Sequence, residues 1–219
     1  MNKIVIAIDS FKGCLTSEEA GIAVMKGIKT IFPDCEILLF PIADGGEGML
    51  DVLISATQGK YRTLPAHGPL MELIQTQYGI SGDGQTALIE MAAISGLPLV
   101  PEEKRNPMLT TTYGTGELIL DALEQGCRRF IVGIGGSATN DAGLGMLQAL
   151  GFRFLDKRGN LLGTGGKIMS QVASIDTSAV HPALKETRFT IACDVHNPFC
   201  GSDAVSYTHL RAHETSAHL

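Results

Sequence analysis

Apolar runs alternate with amphipathic stretches along the first part of the chain. KIVIAI, from Lys3 to Ile8, is a continuous apolar, β-branched run that predicts a strand covered on both faces. TSEEAGIAVMKGIKTIF predicts a helix, because Thr16 and Glu19 have the spacing of a capping box. CEILLFPI predicts a second strand and GMLDVLISATQG a second helix, which ends at Gly59. This order predicts a parallel sheet with helical crossovers.

The pattern changes from about Tyr61 onward. Shorter strand-like pieces, punctuated by HGP and GDG, predict antiparallel hairpins and the start of a second domain. Helical patterns return in TYGTGELILDALEQG and AGLGMLQALG, and strand patterns return in RRFIVGIGG and RFTIACDV. The chain is therefore expected to be an α/β protein with two distinct domains.

Composition narrows the classes of function. A net charge of −6, 5% aromatic residues and no tryptophan argue against a nucleic-acid or anionic-membrane surface. The start of the chain has only five apolar residues before Asp9, and no segment approaches the roughly 18 of a membrane span, so we expect a cytoplasmic protein. The cysteines lack metal-type spacing and are expected to be buried free thiols: Cys14, Cys35, Cys127, Cys193 and Cys200.

Two loops near the amino terminus carry candidate chemistry. In DSFKGCLTS, the Ser10 hydroxyl and the Lys12 charge suit an anionic ligand, although a turn with a surface lysine is an equal alternative. In PIADGGEG, Asp44 and Glu47 have capping-box spacing, so capping explains both. Capping does not explain the neighbouring glycines 45, 46 and 48, which predict a close backbone approach to a ligand.

A third loop, RFIVGIGGSATNDAGLG, has two interpretations besides a simple helix cap. Gly133, Gly135 and Ala138 fit the dinucleotide fingerprint GxGxxG/A, with Asp156 about twenty residues further on. That match is weak, because polar residues occupy the helix entrance that should pack apolar against the sheet. Those polar residues instead suit a hydroxy acid or phosphate held by Ser137, Asn140 and the helix amino terminus.

The fourth loop is TIACDVHNPFCG. Alternation along the strand leaves Asp194 at its carboxyl end, where open α/β sheets bind ligands. A carboxylate at that place can accept a hydroxyl proton or hold magnesium during phosphoryl transfer, although a lone aspartate is also a common turn former. A P-loop is absent, since NLLGTGGKIMS has Leu161 and Ile168 where glycine and Ser or Thr belong.

Six motifs together resemble the bacterial glycerate kinases. They are DSFKGCLTS, PIADGGEG, ALIEMAAISGL, TTTYGTGEL, GIGGSATNDAGLGMLQALG and CDVHNPFCG, in the order found in that family. The resemblance implies an ATP-dependent enzyme that phosphorylates D-glycerate with Mg²⁺ bridging the phosphates. It also implies a Rossmann- or flavodoxin-like first domain and a separate α/β second domain.

The resemblance assigns expected roles to the loop residues. Lys12 is expected to neutralise charge, and Asp194 to act as the base or as a magnesium ligand. The remaining expected substrate- or phosphate-binding residues are Ser10, Asp44, Gly45, Gly46, Glu47, Gly135, Gly136, Ser137, Asn140, Asp141 and Asn197. These side chains and backbone groups are expected to share one cleft.

The resemblance ends after about Gly201, where family members continue with roughly as much chain again. SDAVSYTHLRAHETSAHL departs abruptly in composition, which suggests an amino-terminal fragment with a foreign end. Residues 1–60 are then the first part of an incomplete Rossmann- or flavodoxin-like domain, 61–201 the second domain, and 202–219 a tail without ordered structure.

Two other functions stay open on the sequence alone. A nicotinamide-dependent oxidoreductase depends on the weak GxGxxA match. A non-catalytic module is the stronger alternative, because half of a kinase can bind glycerate without turning it over.

Overall fold

The computed structural model describes residues 3–11 and 14–193. Within these residues the chain forms nine strands and five α-helices, in the order β1 (Lys3–Ile8), α1 (Ser17–Ile31), β2 (Glu36–Pro41), α2 (Met49–Thr57), β3 (Lys60–His67), β4 (Leu73–Ile80), β5 (Thr86–Glu90), α3 (Ala92–Ser95), α4 (Tyr113–Glu124), β6 (Arg129–Gly133), α5 (Leu144–Ala149), β7 (Arg153–Leu155), β8 (Ser174–Asp176) and β9 (Arg188–Ala192). The α/β class predicted from the sequence is confirmed.

The first unit is a two-stranded parallel sheet, β1 beside β2, crossed by α1. Helix α1 begins at the predicted capping box: the Glu19 amide donates to Thr16 Oγ1 at 3.2 Å, and the Thr16 amide donates to Glu19 Oε2 at 2.9 Å. Both bonds lie within four residues, so local sequence is enough to specify them. The predicted β-α-β crossover is therefore confirmed.

One face of this small sheet lacks the cover that its apolar sequence predicts. Ile6 and Leu39 are partners in register, and Leu39 packs against Gly21 of α1, where an added Cβ would collide with it. On the opposite face Val5 is 58% exposed and Phe40 is 51% exposed. The prediction that both faces of β1 are buried is wrong for the described residues, because α1 covers only one side.

The larger sheet has the strand order β3-β4-β5-β6-β9. Strands β3, β4 and β5 are antiparallel neighbours, as the hairpin pattern predicts, whereas β5, β6 and β9 run parallel. The carboxyl ends of β5, β6 and β9 therefore meet at one edge, near the loops that follow Glu90, Gly133 and Ala192. This is the edge at which open α/β sheets bind ligands.

Helices cover both faces of the larger sheet. The main core lies under α4, where the fully buried side chains include Tyr78, Ile89, Leu118 and Phe130. A smaller core lies on the other face, where Leu50 and Ile54 of α2 pack against Leu88 of β5. Helix α2 lies before residue 60 in the chain, but it packs on the sheet that residues after 60 form.

A partly buried polar network joins α4 to the β3–β4 hairpin. The Arg62 Nη2 donates to Asp121 Oδ1 at 2.9 Å, and the Tyr78 hydroxyl donates to Asp121 Oδ2 at 2.7 Å. The Arg62 guanidinium is the main cause that holds the pKa of Asp121 below its ordinary value, while burial raises the pKa of Tyr78. The hairpin and the helix are therefore joined by charge-assisted bonds as well as by apolar packing.

Two neighbouring substitutions on β1 should separate the covered face from the open one. Val5→Thr should leave the free energy of unfolding nearly unchanged and reduce aggregation, because Val5 is 58% exposed. Ile6→Thr should lower that free energy by about 2–3 kcal/mol, since it places a hydroxyl in a buried apolar position. Urea melts and light scattering of both variants measure the difference. Equal destabilisation by the two substitutions would contradict the one-sided burial.

Candidate active site

Two loops meet at the carboxyl edge of the larger sheet. The Gly135 amide donates to the Gly45 carbonyl at 3.2 Å, and the Ile134 amide donates to the Ala192 carbonyl at 3.4 Å. We call the loops 42–48 and 134–143, together with the carboxyl ends of β5, β6 and β9, the strand-end site. The two loops therefore touch through their backbones.

Glycine in these loops permits the backbones to touch. Gly45 has φ +92°, and a Cβ added to it would lie 2.5 Å from the Ala192 carbonyl oxygen. A Cβ added to Gly135 would lie 2.7 Å from the Cα of Gly46. A close backbone approach requires these two glycines, and the approaching groups are the end of β9 and the other loop of the same chain.

Three amides at the end of the first loop and the start of α2 bind carboxylates of the chain itself. The Gly46 amide donates to Asp44 Oδ1 at 2.9 Å. The amides of Gly48 and Leu50 donate to Glu90 Oε2 at 3.1 and 3.0 Å. Internal carboxylates therefore take the donors that an anionic ligand would otherwise use at the start of α2.

Glu90 was not among the residues singled out from the sequence. It ends β5 and is only 8% exposed, beside Gly133 in the sheet register. Burial raises its pKa above the ordinary value; the bonds from Leu50 and Gly48 partly oppose this, and the charges of Asp51 and Glu47 add to it. The available signal was a carboxylate placed directly after the apolar run ALI within the motif ALIEMAAISGL.

Asp141 is the buried centre of the second loop. It is 1% exposed, and its Oδ2 accepts from the Thr112 amide at 2.8 Å and the Gly145 amide at 3.1 Å. Its Oδ1 accepts from the Gly143 amide at 3.0 Å, and the hydroxyls of Thr111 and Thr112 also donate to the carboxylate. These bonds join the loop to the start of α4 and α5.

The other polar residues of the second loop are less engaged. Ser137 Oγ lies 2.7 Å from Thr139 Oγ1 and accepts from the Thr139 amide at 3.1 Å. Asn140 is half-buried, and its side chain makes no hydrogen bond to any residue in the described ranges. Among those same residues, no acceptor takes the backbone amides at positions 136, 137, 140, 141 and 142. In the first loop the amides at positions 43, 44, 45 and 47 likewise have no acceptor among the described residues, so both loops present open donors.

Most of the remaining predicted residues are exposed or fall outside the described ranges. The Ser10 amide donates to Asp9 Oδ1 at 2.7 Å, in the loop after β1. Asp44 and Glu47 are exposed, and Gly136 is exposed as well. The predicted roles of Lys12, Asp194 and Asn197 fall on residues outside the described ranges. Over residues 3–11 and 14–193, no three metal-binding side chains cluster, and no helix is long and apolar enough to span a membrane.

Comparisons with known proteins establish the family. The model of the glycerate kinase family matches residues 4–209. The chain belongs to the glycerate kinase family. The "Glycerate 2-kinase" of Escherichia coli K12 is 52% identical to it over 204 residues, which cover 93% of this chain and 54% of that protein. The "Glycerate kinase" of Bacillus subtilis 168 is 52% identical over 199 residues, covering 91% of this chain and 52% of that one.

A solved structure agrees with this fold. The crystal structure of "putative glycerate kinase 2 from Salmonella typhimurium LT2" superposes with a TM-score of 0.84 and 45% sequence identity, over 96% of this chain and 56% of that chain. The chain therefore spans about half the length of the curated relatives it matches. Family membership favours the kinase interpretation over the nicotinamide-dependent oxidoreductase.

Replacing the buried carboxylate of the second loop should destabilise the fold. Asp141→Ala leaves the amides of Thr112, Gly143 and Gly145 without their acceptor, so we expect a loss of about 3 kcal/mol or more in the free energy of unfolding. Asp156→Ala is the matched control, because Asp156 also accepts two backbone amides but is exposed at a turn. Urea denaturation of both variants tests this, and a control that loses as much stability as Asp141→Ala contradicts it.

The raised pKa of Glu90 predicts a pH-dependent effect. A carboxyl whose folded pKa exceeds its unfolded value adds stability below the unfolded value, and that stability is lost as the pH rises through the folded pKa. Glu90→Gln removes this ionisation while keeping an oxygen that can accept from Gly48 and Leu50. We therefore expect the Tm of Glu90→Gln, relative to the unmodified chain, to be higher at neutral pH than near pH 4.5. A difference in Tm that does not change between those two conditions contradicts the assignment.

Proposed function

We propose that this chain takes part in transferring the γ-phosphoryl group of ATP to a hydroxyl of D-glycerate, giving phosphoglycerate. The observation that carries this is the second loop of the strand-end site. In a chain of the glycerate kinase family, it presents five unengaged amides and the side chain of Asn140 at the carboxyl ends of parallel strands. Such donors suit the carboxylate of glycerate or a phosphoryl oxygen.

The proposed chemistry is in-line displacement, in which the protein supplies position and charge. Asp194 accepts the proton of the attacking glycerate hydroxyl while that oxygen bonds to the γ-phosphorus and ADP departs. Lys12 neutralises charge on the transferred group. Ser137, Asn140 and the amides of the second loop hold the anionic groups in place, with Ser10, Glu47 and Asn197 as further proposed contacts.

The residues around the site support particular roles for the two loops. Asp141 contributes by shaping the second loop, because its carboxylate is enclosed by donors of the chain itself. Gly45, Gly46 and Gly135 contribute by letting the loops touch, and Asp44 by holding the first loop's turn. Gly136 is exposed, and its amide has no acceptor among the described residues.

Magnesium is proposed as the ion that accompanies ATP. Mg²⁺ is commonly held by one or two carboxylates together with substrate phosphates. In the alternative assignment Asp194 would hold this ion instead of acting as the base, and the described residues offer no cluster of three metal-binding side chains. The bound ion would neutralise charge on the β- and γ-phosphates.

The domain organisation, the cellular location and the partners are also proposed. Residues 1–60 would belong to a Rossmann- or flavodoxin-like domain and 61–201 to a second α/β domain. The packing of Leu50 and Ile54 of α2 against Leu88 of β5 supports a junction near this helix. We propose a cytoplasmic protein whose partners are glycerate and ATP, with no nucleic acid or membrane partner.

A second candidate is a glycerate-binding chain that does not turn over. The observation that favours it is the length of the relatives, of which this chain covers about half. Binding groups on the second loop can remain while groups required for phosphoryl transfer are contributed by the other half.

Two measurements distinguish the candidates. ATP consumption that depends on D-glycerate supports the kinase, whereas calorimetric binding of D-glycerate without ATP consumption supports the binding chain. Asn140→Ala should weaken glycerate binding by about tenfold at unchanged stability, because its side chain bonds to nothing in the described fold.

Asn160→Ala is the matched control for this substitution, since Asn160 lies at an exposed turn and bonds only locally. It should leave glycerate binding unchanged. Absence of both binding and turnover in the unmodified chain would refute the two candidates together.

A further inference from the structure

Glu90 and the start of α2 meet across 40 residues of sequence. A single oxygen, Oε2, accepts from the amides of Gly48 and Leu50 at 3.1 and 3.0 Å. We propose that Glu90 is a positioning residue that occupies the amino terminus of α2 as an internal anion, holds the first loop against the second, and so directs an anionic ligand to the second loop. The part of this proposal that concerns the ligand rests on the proposed function.

The unpaired amides at a helix amino terminus and the helix dipole together attract anions. Here Glu90 already takes two of them, and Asp44 takes the amide of Gly46. The start of α2 is therefore satisfied from within the chain and offers little to a phosphate or carboxylate of a substrate.

Glu90 also helps to hold the first loop in position. Glu90 ends β5 beside Gly133, from which the second loop departs. The first loop is thus attached to the sheet edge at two points, by Glu90 to Gly48 and by the Gly45 carbonyl to the Gly135 amide. Loss of the Glu90 bonds removes one of these attachments and leaves, among the described residues, the backbone contact of Gly45 and Gly46 with Gly135.

The charge of the Glu90 carboxylate has to be compensated within the chain. Glu90 is almost fully buried, and the charged groups that act on it are the carboxylates of Asp51 and Glu47. No lysine or arginine among the described residues pairs with it. A buried carboxylate in such surroundings disfavours its own ionisation, so the positive end of α2 and its two amides are what compensate the charge.

Hydrogen–deuterium exchange with mass spectrometry tests this on the whole chain, with inorganic phosphate as the probe. In the unmodified chain, millimolar phosphate should slow exchange in peptides covering 134–143 and leave peptides covering 43–50 unchanged. In Glu90→Ala, exchange of 43–50 should accelerate by about tenfold or more, and phosphate should now slow it. Glu90→Gln, which keeps an acceptor, should restore slow exchange of 43–50.

Glu19→Ala is the matched control, because Glu19 also caps a helix but on α1. It should accelerate exchange at the start of α1 and leave 43–50 as it was. Unchanged exchange of 43–50 in Glu90→Ala overturns the positioning role. Slowing of 43–50 by phosphate in the unmodified chain overturns the internal-anion role, and this result decides the point even if Glu90→Ala does not fold.

These readouts are independent of catalysis. Hydrogen–deuterium exchange of residues 43–50 can be measured in a chain that consumes no ATP. Failure of the proposed function is therefore distinguished from failure of the Glu90 assignment. If phosphate slows neither segment of the unmodified chain, the anion site on the second loop is refuted. The comparison of Glu90→Ala with Glu90→Gln then still decides whether Glu90 holds the first loop.

Discussion

The contact between the Gly45 and Gly135 backbones is the constraint on which the strand-end site depends. Two loops that follow different strands come within hydrogen-bond distance there, and Ala192 of β9 lies against the same point. Any side chain at either glycine would push the loops apart. The glycine-rich composition of both loops is thus explained first by packing within the chain, and the ligand site is what this packing leaves open.

Two buried carboxylates accept hydrogen bonds from backbone amides around that contact. Glu90 satisfies the start of α2, and Asp141 satisfies the start of α5 together with Thr112 at the start of α4. In both cases a carboxylate accepts hydrogen bonds from backbone amides that the helix itself leaves without partners. These donors are used internally, whereas other amides of both loops have no acceptor among the described residues.

The two sheets differ in how completely they are covered. The larger sheet has helices on both faces and a core whose members are almost fully buried, including Ile89 and Phe130. The small parallel sheet has α1 on one face and exposed Val5 and Phe40 on the other. Parallel sheets are ordinarily covered on both sides, so the small sheet falls short of the burial that its own sequence predicts.

Sequence by itself determined the features that depend on near neighbours. The capping box of Thr16 and Glu19, the β-α-β start and the β3–β4 hairpin follow from short-range pattern, and six motifs in order indicated the family. Only the tertiary structure showed that Glu90 accepts from an amide at the start of α2, that Asp141 is buried, and that the Gly135 amide donates to the Gly45 carbonyl. Those contacts join residues about 30 to 90 positions apart, and no local periodicity or spacing encodes which distant amide a carboxylate will meet.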